Sequence, residues 1–331
     1  MRLLRSPAEK PEATMPGKQQ LSRAAKALRA GKLVAFPTET VYGLGANALD
    51  PAAVARIFEV KRRPRTSPLI IHVDRIEAAR ELVTQWPDAA QKLAEAFWPG
   101  PLTLVLPRRE IVPDIITGGG SHVGVRMPSH PVALALIAAA GVPVAAPSAN
   151  RFTQISPTTA EHVRAGLGSD VDVILDGGPC TVGIESSVLA LYDDGPVLLR
   201  PGGVSREAIE AVLGVPVRVP GAAPVKGETH AAPGMHFRHY SPRTMTLTAH
   251  PAMAVPSGDG ALLTHRPAHY GALPVAHLQV MPNSPDAYAQ RLYAALHELD
   301  AHGYDWIAID LPPDEPAWAA VRDRLKRAIA R

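Results

Sequence analysis

Short apolar runs of strand length, cut by polar and basic islands, restrict the fold of this chain more than any other feature. The islands read Pro37-Thr38-Glu39-Thr40-Val41-Tyr42-Gly43-Leu44-Gly45, Lys61-Arg62-Arg63-Pro64, Val125-Arg126-Met127-Pro128 and Pro147-Ser148-Ala149-Asn150. Glu185-Ser186-Ser187 and Leu199-Arg200-Pro201-Gly202-Gly203 complete the set. Strand ends are where a sheet can offer polar side chains to a ligand. Islands from distant parts of one chain therefore read as the lining of a single cleft.

Between the islands, strands and helices interleave. Helical composition over 21–30 ends at Gly31, and 33–36 reads as a buried strand. Residues 51–60 suit a helix with Asp50 as cap and Pro51 in its first turn. Further strands are expected at 69–73, 102–106, 123–127, 142–146, 171–175, 188–191 and 197–199, with two helices over 76–97 and others at 132–140 and 206–213. Thr158-x-x-Glu161 has capping-box spacing and predicts a helix start. Several strands follow one another closely, so a mixed, twisted sheet with flanking helices fits better than regular parallel alternation. Over 214–244 proline and glycine are dense and no apolar period persists, which reads as a linker. Its last part, 233–242, carries too many aromatic and cationic groups for a mere spacer. Beyond it, strands at 261–264 and 306–310 and helices at 285–302 and 316–330 predict a small α/β domain. The expected organisation is a loose tail at 1–17, a catalytic domain at 18–213, a linker at 214–244 and a C-terminal domain at 245–331.

At 331 residues, 46% of them hydrophobic, the chain can build one large domain and a smaller one. A formal charge of +3 does not predict a nucleic-acid coat, although a local basic cluster would still serve phosphate. One cysteine, Cys180, makes neither an internal disulfide nor a zinc finger and reads as an ordinary thiol in a reducing cytosol. The first twenty residues lack the apolar core of a secretory signal, and the apolar stretch 131–149 is broken by Gly141 and Pro143, so a cytoplasmic protein is expected.

Taken singly, each island keeps a plain reading. Lys61 and Arg63 are a solvated basic turn or two cations for a phosphate chain. Arg126, on an apolar strand, needs an anion: a structural Asp or Glu, or a substrate carboxylate. His72, the sole polar residue of its strand, is a core histidine or a ligand contact. Ser148, Asn150 and Ser186 are turn residues or donors to an anion. Gly43 and Gly45 permit close backbone approach but form no phosphate loop or dinucleotide fingerprint. No Asp pair or His cluster offers a dedicated metal site, so Mg2+ is expected to ride on a nucleotide.

In order and spacing the islands closely resemble the YrdC/Sua5 family in its two-domain form. The match runs from about Gln20 to Arg331 through residues 36–45, 61–64, 68–73, 98–103, 125–128, 147–150, 185–188 and 199–202. The resemblance implies a YrdC-like twisted mixed sheet with an open cleft, plus a small Rossmann-like C-terminal domain. It implies synthesis of L-threonylcarbamoyl-AMP from L-threonine, bicarbonate or CO2, and ATP, with release of pyrophosphate. The product would pass to a tRNA threonylcarbamoyl transferase complex for the N6-threonylcarbamoyladenosine modification at position 37; a weak tRNA contact is left open. Lys61 and Arg63 would be catalytic, and with Ser67, His122, Ala146, Asn150, Ser156, Arg200 and Tyr240 would bind ATP. Thr40, His72, Arg126, Ser148 and Ser186 would bind threonine, and the linker segment with His239 and Tyr240 would close over the cleft. This chain departs from the family pattern at Ser67, His122, Ser187, His236, Phe237 and Ser241. Two rival readings stand beside it. One is a non-enzymatic RNA-binding or ribosome-maturation module of the same fold; the other is a hydrogenase-maturation carbamoyltransferase, whose zinc-finger cysteines this chain lacks.

Overall fold

The computed structural model describes residues 14–220, 239–271 and 273–329. Most of the expected 1–17 tail lies outside the described residues, as does much of the linker, with His236 and Phe237. Nine strands form the larger sheet: β1 (Val34–Phe36), β2 (Gly43–Asn47), β3 (Ile70–His72), β4 (Leu102–Pro107), β5 (His122–Arg126), β6 (Val144–Ala145), β7 (Val173–Ile174), β8 (Ser187–Tyr192) and β9 (Gly195–Arg200). Their order is β7-β1-β2-β6-β3-β5-β4-β8-β9. The pairs β1/β7, β3/β5 and β4/β8 run parallel and the rest antiparallel, giving the mixed sheet expected from the close strand spacing.

Local sequence explains most boundaries. Helix Lys18–Arg29 ends where Gly31 takes φ 72°, turning the chain into β1. Asp50 caps helix Pro51–Lys61, its Oδ1 accepting from the N–H groups of Ala52 and Ala53 at 2.9 and 3.3 Å. The cap expected at Thr158 belongs instead to Thr159, whose hydroxyl accepts from the His162 N–H; Thr158 faces the His162 ring. β6 is shorter than the expected 142–146 strand, for Pro143 has no N–H to pair. β2 was not expected, because its glycines argue against a strand. A Cβ on Gly45 would lie 2.7 Å from a Phe36 ring carbon and 2.9 Å from Val144 Cγ1, so only glycine fits between β1 and β6 there.

The two faces of this sheet differ. One carries Leu33, Ala35, Leu44, Ile71, Leu104 and Val125 into the main core, beneath helices Pro51–Lys61, Asp88–Phe97 and Arg206–Leu213. On the other, helices Lys18–Arg29 and Pro131–Ala140 cover only the β1 and β6 end. Its centre, with Ile70, His72, Gly124 and Arg126 at alternating positions, holds the polar cavity described below. The cleft thus lies on a sheet face and not only at strand ends, as the islands alone implied.

The smaller sheet comprises β10 (Met245–Thr248), β11 (Gly260–Thr264), β12 (His277–Val280) and β13 (Trp306–Ile309), all parallel in the order β10-β13-β11-β12. Helices Pro285–Ala301 and Ala319–Ile329 pack on it as a Rossmann-like layer. Among the described residues no helix is long and apolar enough to cross a membrane.

Candidate active site

His72 and Arg126 close adjacent parallel strands and are direct register partners. They line a small cavity, about 50 Å³, with Thr38, Thr40, Arg63, Ala146, Ser148, Glu185, Ser186, Arg200, His239 and Tyr240 among its walls. Burial, with the charge of Arg126, pushes the His72 imidazole down to about 3, so it is neutral. Its Nδ1 is buried with no hydrogen-bond partner. The Arg126 guanidinium lies 2.7 Å from Glu39 Oε1 and donates through Nε to Gly100 O at 3.2 Å. Glu39 Oε2 accepts from the Ser129 N–H. The anion that the strand arginine required is therefore Glu39, and Arg126 is the member of the pair that lines the cavity.

Thr38 Oγ1 donates to Val41 O at 2.6 Å and lies 2.7 Å from Thr40 Oγ1. With the Thr38 proton so committed, Thr40 donates to Thr38 and keeps its lone pairs for a donor ligand. Ser186 Oγ bonds Thr103 Oγ1 at 2.8 Å and accepts from Arg200 Nη2 at 3.1 Å. Arg200 Nε and Nη2 also donate to Ser186 O. Arg63 donates to Pro68 O at 3.1 Å, with its guanidinium 5.7 Å from the Phe152 ring centre; burial pushes its pKa down to about 10, still cationic at neutral pH.

Lys61 stands behind this wall. Its ammonium donates to Ser148 O, Asn150 O and Asn150 Oδ1 at 2.5, 2.6 and 3.3 Å, and burial, then Arg63, lowers its pKa well below the ordinary lysine value. Lys61 and Asn150 line a second, larger cleft of about 480 Å³ between the domains, with Arg62, Arg151, Arg243 and the stacked His162–His297 pair. Three buried cations, Arg63, Arg126 and Arg200, line the first cavity with one buried carboxylate, Glu185, and Lys61 borders the second cleft. An anionic ligand in the first cavity would meet cationic walls.

Of the residues expected at the site, Thr40, Arg63, His72, Arg126, Ala146, Ser148, Ser186, Arg200 and Tyr240 meet at the first cavity. Ser67 is buried behind Arg63, which reaches its carbonyl at 3.5 Å. Ser156 is fully buried, its hydroxyl donating to Glu185 Oε1. His122 shares the face of Arg126 but stands four residues up β5, about 13 Å away, edge-on to Tyr192. Gly124 lies between them, where a Cβ would stand 3.2 Å from Thr103 Cγ2 and 3.4 Å from Ile70 Cγ1.

Two described residues at the end of the linker, His239 and Tyr240, line the cavity. Tyr240 is buried at φ 62°, a costly backbone for a bulky side chain. It is held there because Ser241 N–H donates to Thr153 O, His239 N–H donates to Arg327 O, and the Tyr240 ring packs on Tyr293 and Arg324. Its hydroxyl is buried without a hydrogen-bond partner. The sequence reading missed Glu39 and Glu185 as charge partners, although both lie inside islands. It also missed Tyr293 and Arg324. The spacing Val321, Arg324, Leu325, Ala328 puts Arg324 on the apolar face of its helix, and that was the available signal.

Two family models match: one described as "Telomere recombination" over residues 26–202, and one described as "Threonylcarbamoyl-AMP synthase, C-terminal domain" over 204–330. The threonylcarbamoyl-AMP synthase of Pyrococcus abyssi is 43% identical over 92% of both chains. That of Bacillus subtilis is 40% identical, covering 93% of this chain and 92% of its own. The crystal structure of P. abyssi Sua5 complexed with L-threonine superposes with a TM-score of 0.85 at 40% identity, covering 93% of this chain and 94% of that one. With both models matched end to end on a fold of one mixed and one parallel sheet, the chain belongs to the YrdC/Sua5 family, in its two-domain form.

Proposed function

We propose that this protein is an L-threonylcarbamoyladenylate synthase, acting in the cytoplasm to supply the activated threonylcarbamoyl group for tRNA modification. The observation that carries the reading is the cavity itself. It is small and enclosed by polar walls, with Arg126 (itself paired to Glu39), an unpartnered neutral His72 Nδ1, and the buried Arg63 and Arg200 among its lining.

Arg126, held in orientation by Glu39, takes the threonine carboxylate. Thr40 offers lone pairs to the amine, and His72, Ser148 and Ser186 contact the rest of the amino acid. The free amine and bicarbonate give a carbamate and water. A carbamate oxygen then attacks the ATP α-phosphorus, the bond to the bridging oxygen breaks, and pyrophosphate leaves with its electron pair. Lys61, Arg63 and Arg200 neutralise the phosphate charge, and no protein nucleophile is required. Ser67, His122, Ala146, Asn150, Ser156 and Tyr240 complete the nucleotide contacts on this reading.

A triphosphate does not fit in about 50 Å³, since small-molecule sites run to several hundred. Tyr240 and its neighbours therefore swing out to admit ATP and return to exclude water from the labile carbamate. Mg2+ in this reading is carried in on ATP, held by the substrate phosphates. The test is pyrophosphate release with each substrate omitted in turn. Release that requires threonine, bicarbonate and ATP together supports the synthase; release indifferent to threonine sinks it.

A further inference from the structure

The C-terminal domain reaches the cavity wall at one buried carboxylate. Glu185, just before β8, lines the cavity and is 7% exposed. Its Oε1 accepts from Ser156 Oγ at 2.7 Å, within its own domain. Its Oε2 accepts from two groups of the other domain: Tyr293 Oη at 3.0 Å, from helix Pro285–Ala301, and Arg324 Nε at 2.7 Å, from helix Ala319–Ile329. The Arg324 side chain is fully buried. Its remaining nitrogens donate to Pro201 O at 3.0 Å and Asp323 Oδ2 at 2.7 Å, so the guanidinium is fixed in one pose, its carbon 5.2 Å from the Tyr240 ring centre. Burial would push the Glu185 carboxyl up, yet Arg324 and then Arg200 bring it below the ordinary value. Two guanidinium groups therefore act on one carboxylate: Arg324 from the C-terminal domain, and Arg200 from the wall assigned to phosphate.

We propose that Arg324 and Tyr293 are positioning residues for nucleotide binding: they tie Glu185 to the C-terminal domain, so that this carboxylate attracts Arg200 without closing an ion pair on it. This gives the C-terminal domain a part in the site itself. The inference rests on the synthase reading for the identity of the anion, a nucleoside triphosphate. Without Arg324, an ionised Glu185 at the head of β8 would turn to the nearest cation in reach and compete with phosphate for it. The defect would then be specific to the nucleotide, and removing the Glu185 charge would relieve it. A merely structural strut predicts neither result.

The experiment compares the full chain, Arg324→Met, and Arg324→Met with Glu185→Gln. It measures the Kd of a non-hydrolysable ATP analogue and of threonine by calorimetry, alongside kcat and Tm. Arg324→Met is expected to weaken the analogue tenfold or more and threonine less than twofold, and the added Glu185→Gln to recover most of the loss. Equal weakening of both ligands, unchanged analogue binding, or no recovery overturns the proposal. If Arg324→Met does not fold, Tyr293→Phe carries the test, with an expected two- to fivefold loss confined to the analogue and relieved by Glu185→Gln; a threonine loss of the same size overturns it. Wild-type turnover is a separate readout. Normal turnover with no analogue-specific defect rejects this inference alone, whereas analogue binding without threonine-dependent pyrophosphate release rejects the synthase reading alone.

Discussion

The two sheets treat buried charge differently. At the ends of β11 and β13 in the C-terminal domain, Asp310 accepts from Thr264 at 2.7 Å and from Arg266, with His265 3.8 Å away. Donors and acceptor come from neighbouring strand ends, and the carboxylate is answered within the cluster. On the larger sheet Arg126 is answered by Glu39, and Arg63 and Arg200 line a cavity together with the unpartnered His72 Nδ1 and Tyr240 Oη. The C-terminal cluster also keeps one buried, unpartnered atom, His265 Nδ1, but its carboxylate is held by its own donors. On the larger sheet the unpartnered atoms belong to residues that line a cavity, where a ligand can supply the missing partners.

Four measurements would break or sharpen that contrast. The largest effect is expected from Arg126→Ala. Threonine binding should weaken by about 100-fold, near 2.7 kcal/mol, with ATP far less affected. Stability should fall by about 3–5 kcal/mol, because Glu39 is left buried and unpaired. Calorimetry and thermal unfolding read both, and equal losses for the two substrates would contradict the carboxylate role. Arg266→Ala, the counterpart in the Asp310 cluster, should cost about 1–3 kcal/mol of stability and leave the threonine KM alone; a shifted KM would erase the distinction between the regions. Tyr240→Phe removes a hydroxyl unpartnered in the closed cavity, and about tenfold is expected from kcat with little change in Tm. A fall in Tm with intact kcat would make that hydroxyl structural.

The smallest effect is a pH dependence. Burial, then His162, holds His297 near pKa 4, against an ordinary 6.5. The unfolded chain therefore takes the proton first. The His297 contribution to stability is complete above about pH 6.5 and is lost as pH falls towards 4. Chemical denaturation at pH 7 and pH 4.5 should show His297→Asn shrinking the acid-induced loss by about 1–3 kcal/mol. An unchanged loss would remove His297 from the account.

Much of this was legible in the chain, for local reasons. Apolar runs gave β1, β3, β4 and β5, Asp50 and Gly31 marked helix ends, and the islands hold six of the nine expected residues that meet in one cavity; His72 stood out on its own strand, and Ala146 and Tyr240 came from the family resemblance. The failures were also local in origin. Glycines hid β2, whose close packing against Phe36 and Val144 is visible only once three strands are assembled. Adjacent threonines misplaced one cap, because a hydroxyl's partner depends on where the His162 ring lies.

The sequence by itself determined which residue types could do chemistry and in which strands and turns they stand, since periodicity and capping act over a few residues. Tertiary structure alone decided which charges answer one another. Arg126 met Glu39, far from it in the chain, and Glu185 met Arg324 of the other domain. It also decided that the cleft opens on a sheet face and that Tyr240 lines it. These outcomes depend on burial and on partners brought close only by folding, where desolvation makes a missing counter-charge costly enough to fix each pairing.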